Sequence, residues 1–153
     1  MHPVQFFLRR AIARPDAPAL ADGRRTWTYR ALAERVNALA AALQAIDPEP
    51  GSRVGIAAYN GAGHVAALLA TLAAGKVWVP LYPRNGRSEL DRMVAFTAPS
   101  IVVADAECRD SFDPHGATLV TIDPASAAAD TLDGLAHRHA GRRPAPDERP
   151  ATA

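Results

Sequence analysis

Four short apolar runs, each separated from the next by a stretch with helical character, constrain this chain more than any other feature. They are Val54–Ala57, Val77–Leu81, Ile101–Ala104 and Thr118–Ile122. Such runs do not alternate apolar with polar residues, so each reads as a strand covered on both faces. Between the first two lies Gly63–Ala74, a helix closed by Gly75 as its C′ residue. Between the second and third, Ser88 is placed to cap a helix running to about Thr97. Strand, helix and parallel strand in succession predict an α/β fold with a parallel βαβ sheet, right-handed crossovers and helices on both faces.

The opening residues add a helical and a hairpin element. Residues 3–14 form a short amphipathic helix that Pro15 and Pro18 terminate. Ala19–Ala21 and Thr26–Thr28 read as two strands about an Asp22-Gly23 turn. Thr28 then caps a helix whose apolar face carries Leu32, Val36, Leu39 and Leu43, and Pro48, Pro50 and Gly51 stop it. After Asp123 the pattern fades. Ala125–Ala129 and Leu132–Ala136 are faintly helical, and Pro144, Pro146 and Pro150 among charged residues give 126–153 the character of a weakly structured linker or frayed tail. The expected division is therefore a unit over 1–125 and a tail over 126–153.

Composition excludes several functions. Seventeen basic residues against sixteen acidic ones leave no field for nucleic-acid binding. All but one of the basic residues are arginine, the exception being Lys76. A lone Cys108 rules out an internal disulfide and a thiolate zinc site, which fits a cytoplasmic protein. The apolar stretch Val65–Tyr82 is interrupted by Gly75, Lys76 and Pro80, so it reads as a buried helix and a buried strand rather than a membrane span.

Three patterns imitate active-site motifs. Gly61-Ala62-Gly63-His64-Val65-Ala66 matches a loose dinucleotide fingerprint after a strand, and Gly61 and Gly63 would bring phosphate to a helix N-terminus. The following strand ends without the carboxylate that a ribose needs, although Arg84 and Arg87 are available for a 2′-phosphate. Ala70–Val77 misses the Walker pattern at both ends, since it lacks the first glycine and the hydroxyl after Lys76. His137 and His139 have no partner ligands in sequence for a metal, and His64 reads as a surface or supporting group. No nucleophile elbow is present, so catalytic residues are assigned to none of these.

Two longer segments carry a more specific signal. Thr26-Trp27-Thr28-Tyr29-Arg30-Ala31-Leu32 and Leu72-Ala73-Ala74-Gly75-Lys76-Val77-Trp78-Val79-Pro80-Leu81-Tyr82-Pro83 resemble the first two core motifs of the AMP-forming acyl-CoA synthetase, or adenylate-forming ligase, superfamily. The order of the intervening elements agrees, and the resemblance covers about residues 3–125. It implies the N-terminal subdomain of an enzyme that uses ATP and Mg²⁺ to convert a carboxylic acid to its acyl-adenylate and then forms a thioester with coenzyme A. Fatty acid metabolism and a cytoplasmic location are part of the same expectation. In that family a Ser/Thr/Gly-rich phosphate loop follows a segment like Asp147-Glu148-Arg149-Pro150, and the catalytic lysine comes in a later domain. The 153 residues therefore read as an N-terminal fragment, not catalytic alone, that binds none of these ligands tightly and acts with the remainder of the ligase. Arg109 aligns with an arginine that contacts coenzyme A phosphate in relatives, and Arg84 and Arg87 are placed to assist. The plainer alternative is that all three are solvated surface arginines. Two other functions remain open from sequence: a dinucleotide-binding module on Gly61 and Gly63, and a non-catalytic partner subunit of a split ligase.

Overall fold

The computed structural model describes residues 3–123 and 130–146. Eleven elements follow in order: α1 (Pro3–Ala13), β1 (Pro18–Ala21), β2 (Thr26–Thr28), α2 (Tyr29–Ile46), β3 (Arg53–Ala57), α3 (Ala62–Ala73), β4 (Val77–Pro80), α4 (Arg87–Thr97), β5 (Ile101–Asp105), β6 (Thr118–Ile122) and α5 (Leu132–Arg138). β1 and β2 form an antiparallel hairpin, and the other four strands form one parallel sheet in the order β4-β3-β5-β6. The expected α/β class and the four parallel strands are present.

Small side chains set the layer over one face of the sheet. α2 buries Leu32, Val36, Leu39 and Leu43 along one stripe and adds Ala38, Ala40 and Ala42. α3 meets it with Ala66, Ala67 and Ala70, so the two backbones pack closely. Leu132 and Leu135 of α5 enter the same core, against Val54, Ile56, Ile101, Val103 and Val120 of the sheet. On the other face, Leu90 and Val94 of α4, with Cys108 and Phe112 from the β5–β6 connection, cover Val79, Val102 and Ala104. The β3 and β5 runs are buried on both sides for this reason.

Local chemistry fixes the boundaries. Thr28 Oγ1 accepts the Ala31 N–H at 3.2 Å, the expected N-cap of α2. Gly75 has φ +70°, and its N–H reaches Leu72 O at 3.2 Å to close α3. The cap of α4 differs from expectation. Gly86 occupies that position, and its carbonyl takes the N–H groups of Glu89 and Leu90, while Ser88 lies inside the first turn and is exposed. β4 also differs. It is an edge strand, so Val79 alone is buried, and Val77 and Trp78 are 45% and 39% exposed.

The stretch 126–153 contains an ordered element. Thr131 caps α5 by accepting the Gly134 N–H at 3.1 Å and bridges to Thr121 of β6. Farther on, Ala145 exchanges two hydrogen bonds with the Gln44 amide, of 2.8 and 3.1 Å. The helix read at Ala125–Ala129 and the residues after 146 lie outside the described residues.

Candidate functional site

The strand order creates a crevice at the carboxyl ends of the sheet. From β3 the chain passes through α3 to β4 on one side, whereas β5 lies on the other side of β3. Connections therefore diverge above β3 and β5, the place where open α/β sheets receive ligands. A cleft of ≈ 690 Å³ lies there, with Trp27, Tyr59, Asn60, His64 and Asp105 in its wall. Asp105, the last residue of β5, accepts the Tyr59 N–H through Oδ2 at 2.6 Å and ties the ends of β3 and β5 together. The Arg25 guanidinium lies 3.3 Å from the Trp27 ring centre, and Arg35 pairs with Asp133 on α5. Trp27 Nε1 and His64 Nδ1 are buried without a protein partner. Two polar atoms of the cleft wall thus face it unsatisfied, in contrast to the rule for buried groups.

The geometry argues against dinucleotide binding at Gly61 and Gly63. A Cβ on Gly63 would stand 2.5 Å from Ile122 Cγ2, so this glycine allows α3 to approach β6 rather than admitting a phosphate. Gly61 has extended backbone and open space around it. Asp22 is held below the usual carboxylate range by the N–H groups of Arg25 and Arg24, and the Ala62 N–H contributes in the same direction. A carboxylate therefore already faces the first turn of α3, where a pyrophosphate would have to sit. The dinucleotide reading is withdrawn on these grounds.

A smaller hollow of ≈ 360 Å³ adjoins the cleft, between Tyr59, Trp78, Pro80 and Tyr82, with Arg84 on its rim. Arg87 and Arg109 are not at this hollow. Arg87 donates to the Asp110 carbonyl at 3.0 Å and lies 3.7 Å from the Asp91 carboxylate, and Arg109 lies 3.9 Å from the Asp110 carboxylate. Two of the three candidate arginines therefore meet at the segment after β5, and the third is separate. All three are exposed. Cys108 beside them is buried, and burial, followed by Asp105 and Glu107, raises its thiol pKa. It is not primed as a nucleophile.

The remaining chemically conspicuous residues are structural. Lys76 Nζ is buried and donates to Asp47 O at 2.7 Å, Ser52 Oγ at 2.7 Å and Glu49 O at 3.2 Å. The Asp47 carboxyl is lowered to about 2, foremost by a hydrogen bond from the Ser100 hydroxyl. His139 Nδ1 lies 3.1 Å from Leu135 O within its own helix, and no three His, Cys, Asp or Glu side chains converge to hold a metal among the described residues. The residues present therefore do not fit MgATP, and no reaction step is assigned to it here. No helix among them is long and apolar enough to cross a membrane.

Sequence reasoning missed Trp27, Tyr59 and Asp105 as a group. Asp105 alone carried a signal, because a carboxylate ending a buried strand lies where such sheets bind ligands.

Comparison with known proteins completes the description. The family model described as AMP-binding enzyme matches residues 7–152. A probable non-canonical nonribosomal peptide synthetase, CymA of Salinispora arenicola, is 33% identical over 116 residues, which is 76% of this chain and 2% of that protein. Among solved structures, a benzoate CoA ligase from Burkholderia xenovorans matches all of this chain and 30% of its own, with a TM-score of 0.82 at 20% identity. The N-terminal subdomain of NpsA from Klebsiella oxytoca matches 95% of this chain and 34% of its own, with a TM-score of 0.75 at 21% identity. The chain thus spans a small part of the curated relatives and about a third of these solved chains. The curated relatives include several nonribosomal peptide synthetases, where the sequence had suggested enzymes of fatty acid metabolism.

Proposed function

Since the chain belongs to the AMP-binding enzyme family, we propose that it is the opening subdomain of an adenylate-forming acid–thiol ligase and supplies scaffold rather than catalytic groups. The observation that carries this is the family match over 7–152 in a chain that fits onto only about a third of solved ligases. The packing of α5 into the α2–α3 core supports extending the subdomain past residue 125, through Arg138.

In the reaction proposed for the complete enzyme, a carboxylate oxygen of the acid attacks the α-phosphorus of ATP and displaces pyrophosphate. A thiol then attacks the acyl carbon and AMP leaves. The peptide synthetase relatives favour a carrier-bound thiol as acceptor, whereas the benzoate CoA ligase likeness, at 20% identity, speaks only for the fold. Coenzyme A is the second reading, favoured by Arg87 and Arg109 meeting at Asp110 beyond the end of β5. There the arginine forks would hold a phosphate, with Arg84 assisting from the adjoining loop. The role of this chain's own residues is to fix that loop against the sheet.

Exchange of labelled pyrophosphate into ATP tests the proposal. The 153-residue chain alone is expected to give no exchange above buffer across a panel of carboxylic and amino acids. Exchange at an enzyme-like rate by this chain alone would overturn the reading.

A further inference from the structure

We propose that the outer edge of β4 is the seam on which the rest of an adenylate-forming domain docks and adds a strand to this sheet. The inference rests on the function proposed above and concerns where the partner sits.

The two edges of the parallel sheet are treated differently. At β6, Thr131 bridges to Thr121, and α5 packs beside the strand. At β4, the outer side has no strand partner among the described residues. An open edge presents a row of N–H and C=O groups that pair with any suitable strand, and proteins usually shield it with charge. Here the exposed side chains are Val77 and Trp78, with Tyr59 and Tyr82 at the adjoining hollow, and Arg84 is the only Lys or Arg there. Four of the large exposed apolar residues thus gather on one border of the molecule.

The template is also rigid at its start. Lys76, immediately before Val77, is anchored by three acceptors, and Val77 N–H donates to Ser52 O at 2.9 Å. Pro80 lacks an N–H and limits the added pairing to the residues before it. The occupant is identified by what the same fold carries in its solved relatives. A benzoate CoA ligase contains this entire fold as 30% of its chain, so a body more than twice as large is built against it. The exposed tryptophan and tyrosines have the composition of an interface core.

The test co-expresses the chain with the polypeptide encoded directly downstream of codon 153 as a separate chain. Complex formation is followed by gel filtration and β4 by amide hydrogen exchange. The expected result is a 1:1 complex in which the amides of 77–79 gain protection. Trp78→Glu should weaken the complex about 30-fold, the loss typical of an interface anchor. Val77→Arg serves as a second variant, with circular dichroism reporting whether either still folds. A complex without protection at 77–79, and indifferent to both variants, would overturn the seam and leave the proposed function standing. Absence of any complex together with absence of pyrophosphate exchange by the mixture would overturn both. Dimerisation of the chain alone through β4, abolished by Trp78→Glu, would assign the edge to a second copy and overturn the proposal.

Discussion

The two ends of the same sheet are built to opposite standards. Where the strands begin, polar groups are closed: Lys76 satisfies two carbonyls and a hydroxyl, Asp47 takes the Glu49 N–H at 2.9 Å, and Ser100 N–H meets Arg53 O at 2.9 Å. Where the strands end, Trp27 Nε1 and His64 Nδ1 are buried and unpaired around a large cleft, and Tyr59 and Tyr82 are exposed. One end is finished within the chain, and the other is shaped to receive something. A buried lysine at the first end contributes to stability, whereas arginines at the second contribute nothing until a partner or ligand arrives.

Breaking the closed end should have the largest effect. Lys76→Met leaves two carbonyls and a hydroxyl without their donor and is expected to cost about 3 kcal/mol in urea unfolding. A loss below about 0.5 kcal/mol would mean that this end is not what holds the fold. The same cluster sets an acid dependence. The Asp47 carboxyl falls from 3.8 in the unfolded chain to about 2, so its contribution is present above pH 3.8 and is lost as pH falls through about 2. Asp47→Asn should flatten that part of the stability–pH curve.

Gly63 sharpens the comparison, because it lies at the open end yet has a packing role. Gly63→Ala is expected to cost about 2 kcal/mol, as its Cβ would stand 2.5 Å from Ile122 Cγ2. Gly61→Ala, with nothing within 4 Å, should cost less. Equal and negligible costs would return both glycines to the role of a ligand cradle. The smallest effect on stability is expected from Arg84, Arg87 and Arg109. Replacing all three with Ala should change unfolding by less than about 0.5 kcal/mol per site. In the complete enzyme the same variant should raise the KM for the thiol substrate, and an unchanged KM would leave them as solvated surface charges.

The closed end was largely legible in the sequence. The Leu32, Val36, Leu39, Leu43 stripe, the Thr28 cap and the Gly75 stop are local signals, and each sits where its spacing places it. The open end was not, for two physical reasons. Its wall draws on residues near 27, 60, 105 and 123, which only the sheet order brings together. Edge strands also resemble central ones when their exposed residues are apolar, so Val77-Trp78-Val79 read as buried. Ser88 was chosen as a cap on residue type, yet Gly86 supplied the extended backbone and the carbonyl. The faint α5 signal came from Gly134, which is buried and donates to Thr131.

Titration of the 153-residue chain with MgATP in a calorimeter tests the division of labour most directly. Saturation should be absent up to millimolar nucleotide, because the N–H groups beginning α3 already face Asp22 and no cation points into the cleft to hold a triphosphate. One equivalent bound at micromolar concentration would contradict the account.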